Sequence, residues 1–418
     1  MSKTGKSMLM PRRVEIDSHP IDVAQRLRHL PGFLFFDSAN ISSNEGSLSI
    51  LGAIPEYVIN GDIENDYDQL VANFSRDNQL YEHVDCGFPV GGLFGHITFD
   101  GKYHFGKYSK LLVYLHDRNE WFDIGGLSDL MSFEPIISSQ LNRVEFCNCI
   151  GKENFCSMVK KAKEYIAAGD IYQVNLSHRF EAEWPDNKDP FDLFLKLRDC
   201  SPAPFSAFYK INDQTIISSS PECFLKMSGP GVLTRPIKGT RPRFNDPGED
   251  ERSAAELLTS PKEISELIMI TDLERNDLGK VCEYGTVRVS ELLKLEKFAQ
   301  VFHLVSTIEG RLNEHNNHLS ALKACFPGGS ISGAPKCRSL EIINELEVCP
   351  RDIYTGSIGY FGVNGESQFS IAIRTAYIQS GKLYLHAGAG IVADSDPESE
   401  YQETLHKASG FFQAAASF

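Results

Sequence analysis

The ten cysteines of the chain include no Cys-x-x-Cys pair, and no histidines stand at zinc spacing beside them. A closed thiolate zinc site is therefore excluded, and scattered reduced thiols of a cytoplasmic protein are expected. No run of about 18 uncharged apolar residues occurs, which leaves no helix to span a membrane. The first ten residues carry charge without an apolar stretch of useful length, so no secretory leader is expected. Basic charge is also short. A net charge of −15 speaks against nucleic acid or an anionic membrane as the main partner, although a locally basic pocket for a small anion stays open. Gly91-Gly-Leu-Phe-Gly95 lacks the Gly-Lys-Ser/Thr ending of a phosphate loop, and close backbone packing explains its glycines instead. Neither an internal repeat nor a strand–helix–strand alternation is visible.

The chain does contain enough apolar residues for a sizeable core: 42% of 418 residues, with 27 Phe. Residues 1–14 read as a disordered tail. Residues 15–150 form an N-terminal region rich in short β-like runs (Phe33–Phe36, Leu48–Leu51, Lys110–Tyr114), broken by turn clusters such as Asn40–Gly46. A polar seam around Ser138–Gly151 leads into residues 151–418. There, apolar spacing predicts helices over 152–168 (with Gly169 as its cap), 191–198, 249–258, 318–325, 335–346 and from Asp396-Pro397 to about Ala415. Ser260-Pro-Lys-Glu263 has the N-cap, first-turn proline and capping-box acid of a further helix. Strands alternate with these, and Asn364-Gly365 marks a hairpin. The fold class expected is α+β, with large antiparallel sheets and helices outside.

Several residues could carry chemistry, each beside a plainer role. Lys238 lies in Thr234-Arg-Pro-Ile-Lys-Gly-Thr-Arg-Pro-Arg243; cationic neighbours and partial burial favour a neutral, nucleophilic amine, whereas a turn lysine needs no function. Glu263 with Glu266, and Glu400 with Glu403, are spaced three apart on two helices, a donor set suited to a hard cation such as Mg2+. Capping and the helix dipole account for the same glutamates. Arg374 is expected to end the strand Phe369-Ser-Ile-Ala-Ile-Arg374, in an otherwise apolar run, and needs an anion, either a ligand carboxylate or a structural partner. The Ala387-Gly-Ala-Gly390 run admits an anion to its amides or simply packs tightly. Lys407 follows Glu403 by four residues, as a site cation or a plain helix pair. Glu222 at a proline turn is an acid candidate, and His303 in an apolar strand fits a hydrogen-bonded core histidine. Gln173 and Tyr354 are uninformative in isolation.

Taken together, blocks of the sequence closely resemble the chorismate-utilising enzymes, the family that includes anthranilate synthase component I and aminodeoxychorismate synthase component I. The blocks are Tyr172-Gln-Val-Asn-Leu176, Ser219-Ser-Pro-Glu222, Arg235-Pro-Ile-Lys-Gly-Thr-Arg241, Pro261-Lys-Glu263 through Asp272–Gly279, Phe302–Ser306, Ser332–Lys336, Ile373-Arg-Thr375 and Ala387–Asp394 through Glu403-Thr404. They run in order through 151–418, whereas the first 135 residues match only loosely. The resemblance implies two large antiparallel sheets packed together, an anthranilate synthase component I-like fold. It makes Lys238 a nucleophile and Glu222 the general acid–base group for a departing hydroxyl. It makes Glu266 and Glu403 direct Mg2+ ligands, with Glu263 and Glu400 acting through water. Arg374, Tyr354, Ser330, Thr240, Lys407 and the Gly388-Ala389-Gly390 amides become substrate contacts, and His303 an active-site histidine. Gln173 stands where family members that use water carry a lysine base, which argues against water as the nucleophile. Leu267 departs from the histidine often found after Glu266.

Within that family, position 238 separates two chemistries. Alanine there leaves ring carbon C2 open to ammonia; lysine can occupy C2, expel the C4 hydroxyl through the diene and direct ammonia to C4. The resemblance therefore implies 4-amino-4-deoxychorismate as product, on the p-aminobenzoate branch of folate synthesis. No glutaminase nucleophile turn is present, so a separate glutamine amidotransferase is the expected source of ammonia. The rival expectations are anthranilate formation on the same scaffold and an idle chorismate-binding subunit.

Overall fold

The structure, a computed structural model, describes residues 10–39, 47–80 (backbone only for 76–80), 85–132, 143–298 and 301–416. The turn cluster at 40–46, most of the first ten residues and positions 138–142 of the seam lie outside the described residues.

Two antiparallel sheets dominate. The larger has 12 strands. It runs from Arg12–Val14 through Glu120–Ile124, Leu111–Leu115, Leu48–Gly52 and Leu34–Asp37. It continues through Phe205–Ile211, Gln214–Ser220, Thr375–Gln379, Lys382–Ile391 and Gln173–Glu183 to Gly333–Ala334, with Cys147–Asn148 also on 173–183. The smaller has 10 strands. Ile237–Pro242 and Gly231–Arg235 lie along Val301–Arg311, followed by Cys223–Ser228, Glu366–Ile371, Ser357–Gly362, Gly92–Ile97, Lys102–Tyr108 and Tyr57–Asp62; Arg288–Lys297 covers the other side of 301–311. Alternation puts Leu34, Ile50, Phe94, Val113, Tyr209, Ile216, Ile358 and Tyr360 in one cluster between the sheets. Helices 20–27, 190–200 and 397–416 cover the outer face of the larger sheet, and 67–80, 261–279 and 318–325 that of the smaller. This is the α+β architecture expected from the sequence.

Local chemistry accounts for many boundaries. Gly169 ends the helix Gly151–Ala168 in a left-handed conformation, φ 84°. Asp189 and Asp246 accept from the first-turn amides of the helices they cap. Gly92 and Gly95 have no room for a side chain: an added Cβ would stand 2.0 Å from Phe361 O and 1.9 Å from His104 O. Close backbone packing was the right reading of that run.

Two expectations need correction. Arg12–Val14 pairs with Glu120–Ile124 rather than fraying. Arg374 does not end a strand: the strand stops at Ile371, and Arg374 sits in the connection to Thr375–Gln379 at φ 49°. Both sheets, moreover, join a block of strands from before residue 150 to a block from after it, so the two sequence regions share their cores. Among the described residues no helix is long and apolar enough to cross a membrane.

Candidate active site

The side chains singled out from the sequence converge where Ile237–Pro242 of the smaller sheet faces Lys382–Ile391 and Gln173–Glu183 of the larger. Pro236 breaks the Gly231–Pro242 segment in two, and a bulge at Gly239 shifts the register between Lys238 and Thr240. Gly239 has φ 71°, and a Cβ there would lie 2.6 Å from Leu257 Cδ1 and 3.1 Å from Glu263 Oε2. Only glycine fits, and the bulge turns Lys238 towards the opposite sheet. Its amine stands 3.9 Å from Glu266 Oε2 and 3.7 Å from the position a Gly390 side chain would take. The amide nitrogen of Gln173 is 2.9 Å from that same position.

The arginines around Lys238 do not crowd its amine. Arg235 bonds to Glu296 at 2.5 Å, Arg241 lies 3.6 Å from Glu263, and Arg243 binds Asp250 at 2.7 Å. Each guanidinium is neutralised by a carboxylate, so the expected cationic pressure on Lys238 is absent. What distinguishes the amine is its place in the cleft.

Glu222 is 4% exposed. Burial pushes its carboxyl above the ordinary value, opposed by the Ser330 hydroxyl, Lys238, the Ile237 amide and Lys407. Ser330 Oγ faces this group without a formed hydrogen bond. Arg374 has neither an ion pair nor a side-chain hydrogen bond among the described residues. Burial lowers its pKa, with the Glu222 charge opposing. A guanidinium left without a partner fits the ligand reading better than the structural one.

His303 is buried, with Nδ1 3.0 Å from Thr240 Oγ1 and 3.2 Å from the Gly239 carbonyl. Since a carbonyl only accepts, Nδ1 carries the proton and Nε2 the lone pair. Burial, then Arg374, lower this histidine to about 4, against the Gly239 bond. Thr240 therefore accepts from His303 and keeps its own hydroxyl proton to donate. Ala389 turns its methyl away from the cleft, into the cluster of Phe155, Leu176 and Ile391; its side chain is not a substrate contact. Gly388 and Gly390 face inward: a Cβ at Gly388 would touch the Tyr354 hydroxyl at 2.8 Å.

The acidic end combines two helices. Ser260 accepts from the Glu263 amide at 3.5 Å, but the Glu263 carboxylate reaches towards Arg241 at 3.6 Å, so the capping-box reading is not realised. Burial raises Glu266, with Lys238 and Lys262 opposing. At Glu403 burial is outweighed by Lys407, 2.7 Å away, and the carboxyl is lowered. Glu400 accepts from Ser395 Oγ at 2.6 Å. Oε1 of Glu266 and Oε2 of Glu400 are buried without a partner. Among the described residues no three acidic, histidine or cysteine side chains already converge as a finished metal cage. Hard oxygen donors with two buried lone-pair sites nonetheless suit a hard cation such as Mg2+.

Lys407 also donates to the Gly388 carbonyl at 3.1 Å. It and Glu403 keep 45% and 43% of their side-chain surface exposed, so they line an open cleft. Three contributors escaped the sequence reading. Lys262 lies 3.6 Å from Glu400, and all four metal-candidate glutamates raise its pKa against burial. Arg351 clamps Glu347 and the Asn175 and Ile331 carbonyls behind Tyr354. Glu274 lies on the buried face of the 261–279 helix. Only Lys262 had a legible signal, its four-residue offset from Glu266.

The family profile described as chorismate binding enzyme matches residues 127–413. Anthranilate synthase component 1 of Synechocystis sp. is 47% identical over 273 residues, 63% of this chain and 53% of that protein. Aminodeoxychorismate synthase component 1 of Bacillus subtilis is 45% identical over 257 residues, 62% of this chain and 54% of that protein. The matched segments thus span about half the length of these relatives. The crystal structure of anthranilate synthase component I from Streptococcus pneumoniae TIGR4 superposes with a TM-score of 0.78 at 31% identity, covering 89% of this chain and 93% of that one. The menaquinone-specific isochorismate synthase of Escherichia coli shares the fold at a TM-score of 0.79 and 17% identity.

Proposed function

The chain belongs to the chorismate-binding enzyme family, and from that premise we propose that it has the activity of an aminodeoxychorismate synthase component I: Mg2+-dependent replacement of the C4 hydroxyl of chorismate by ammonia, which a separate glutamine amidotransferase supplies. The observation that carries this reading is Lys238 itself, an amine turned into the cleft between Glu266 and Gly390. In an enzyme that admits ammonia directly to C2, that volume has to stay empty.

The chain's own residues support a two-stage substitution. Lys238 passes a proton to Glu222, whose burial favours the protonated carboxyl, and the amine is left as the nucleophile. The amine bonds to C2, the diene shifts, and the C4–oxygen bond breaks as Glu222 protonates the departing hydroxyl to water. Ammonia then bonds to C4, the diene shifts back and Lys238 leaves; the proton that ammonia sheds restores the starting state. Arg374, free of other partners, binds a substrate carboxylate together with the Tyr354 hydroxyl, and Lys407 adds a second positive contact. Glu266 and Glu403, supported by Glu263 and Glu400, would hold Mg2+, which neutralises the ring carboxylate as a Lewis acid. Gln173 has no basic lone pair with which to activate water, in keeping with nitrogen as the nucleophile.

Incubation with chorismate, Mg2+ and an ammonium salt tests the reading by product analysis. 4-Amino-4-deoxychorismate is expected, and anthranilate as sole product would end the proposal. Lys238→Ala should abolish this product. Unchanged turnover in that variant would mean an idle lysine.

A further inference from the structure

The helix Pro261–Gly279 turns more acid inward than the chemistry above employs. Asp277 is neutralised by Lys336 at 2.5 Å and Lys280 at 2.8 Å. Glu274, only 6% exposed, has no ion pair among the described residues. Its hydrogen bond comes from the Thr234 hydroxyl, 2.8 Å from Oε2. Thr234 lies on the strand that pairs with Cys223–Ser228 in the register Cys223↔Arg235, beside the end of that strand where Glu222 stands. On its other side Glu274 supports the loop that carries Ser330: a Cβ at Gly329 would be 3.4 Å from Glu274 Cγ and 2.9 Å from Leu273 Cδ2. Glu274 therefore packs against both pieces of backbone that frame Glu222, and it lies within the field of the Glu222 carboxyl.

We propose that Glu274 is a positioning residue for Glu222: a neutral acid held behind it, so that the pocket contains one ionisable carboxylate and not two. This rests on the reading of Glu222 as the general acid. When Glu222 gives its proton to the leaving oxygen it becomes an anion in a dry pocket, which is tolerable only while Glu274 keeps its own proton. The groups facing Glu274 are Glu222, Thr234, Lys336, Asp277 and the buried Cys325 thiol. Burial first, then the Glu222 charge, push Glu274 up to about 8, with Thr234 and Lys336 opposing and Asp277 adding. Above that pH Glu274 ionises, Glu222 can no longer shed its proton, and turnover falls.

The experiment compares kcat across about pH 6 to 9.5 at constant free ammonia for the full chain, Glu274→Gln and Thr234→Val. The parent enzyme should lose turnover above about pH 8, approaching tenfold per pH unit. Glu274→Gln, an isosteric neutral group, should keep neutral-pH turnover within about threefold and lack that limb. Thr234→Val removes the hydrogen bond that opposes the rise and should move the limb to higher pH; this variant decides the matter if Glu274→Gln does not fold. The Michaelis constant for chorismate should stay unchanged in both, because neither side chain touches substrate. Superimposable profiles, or a limb that moves down in Thr234→Val, would overturn the inference. A parent enzyme that aminates nothing overturns instead the functional reading on which it stands.

Discussion

Replacing Glu222 by glutamine isolates the acid step with little disturbance to the fold. The two side chains have nearly the same volume, and the amide oxygen can still face Ile237 N–H and Ser330. Because burial raises the folded-state pKa of Glu222, the folded protein holds this proton more tightly than the unfolded chain. Stability therefore falls as pH rises through the unfolded value, and at neutral pH the neutral glutamine should be no less stable than the carboxyl. Activity should behave differently. Loss of a placed general acid removes about 10²- to 10⁴-fold in rate, or about 3–5 kcal/mol of barrier. Steady-state assays of amination with ammonium salt should show that loss in kcat with a nearly constant Michaelis constant, since the substrate carboxylates are assigned to Arg374, Tyr354 and Lys407. Mass spectrometry of Glu222→Gln mixed with chorismate should also find no adduct on Lys238, as its formation requires the hydroxyl to leave. A rate loss below about fivefold, or a rise in Michaelis constant at unchanged kcat, would show that Glu222 only binds.

Two further outcomes concern stability. His303 and His178 are buried and lowered from 6.5 to about 4, in both cases chiefly by burial; the unfolded chain therefore binds protons that the folded one refuses, and stability should fall as pH drops from about 6.5 towards 4. Each histidine contributes up to about 3 kcal/mol of that slope, so urea midpoints of His303→Gln should fall less steeply with pH; parallel slopes refute it. Asp277→Asn strands the Lys336 ammonium, whose remaining acceptors are the Cys325 and Pro327 carbonyls. It should cost about 3 kcal/mol in urea unfolding and raise the Michaelis constant for chorismate by loosening the Ser330 loop; a change under about 1 kcal/mol would refute this.

How much of this could be seen in the chain depends on whether the signal was local. The Gly169 cap, the Asn364-Gly365 turn (φ 81° at Gly365) and the Ser260-Pro261 start are decided by a few adjacent residues, and the structure has them. The helix Pro20–Leu27 was invisible because His19 precedes it without any side-chain cap bond. Tyr67–Leu80 is polar enough to pass for a loop. Strand pairing across residue 150, such as Leu34–Asp37 on Phe205–Ile211 or Gly92–Ile97 on Ser357–Gly362, depends on partners over a hundred residues away, to which no periodicity points. The site divides in the same way. Motif blocks located Lys238, Glu222 and Arg374, but the carboxylates that neutralise Arg235, Arg241 and Arg243 lie on other elements, and the sequence argument about Lys238 went wrong there. Glu274 was indistinguishable from any helical glutamate until its burial was known.

On the proposed reading, the charge pattern of the cleft explains how so acidic a chain could receive an anionic ring. Lys238, Lys262 and Lys407 lean on Glu266, Glu400 and Glu403 at 3.9, 3.6 and 2.7 Å. Two of these pairs are loose, and the third is nearly half open to solvent, so none is a tight, fully buried bridge. Arg374 has no pair to give up. On the proposed reading, the entry of a divalent cation and a dicarboxylate is an exchange of partners: the glutamates turn to the metal, and the lysines, with Arg374, to the substrate. Without ligands each lysine has a carboxylate beside it; with both ligands each has a substrate or metal-bound group instead. With substrate alone, the glutamates at its acidic end would face the ring carboxylate without compensation, so binding of chorismate and of Mg2+ should each strengthen the other.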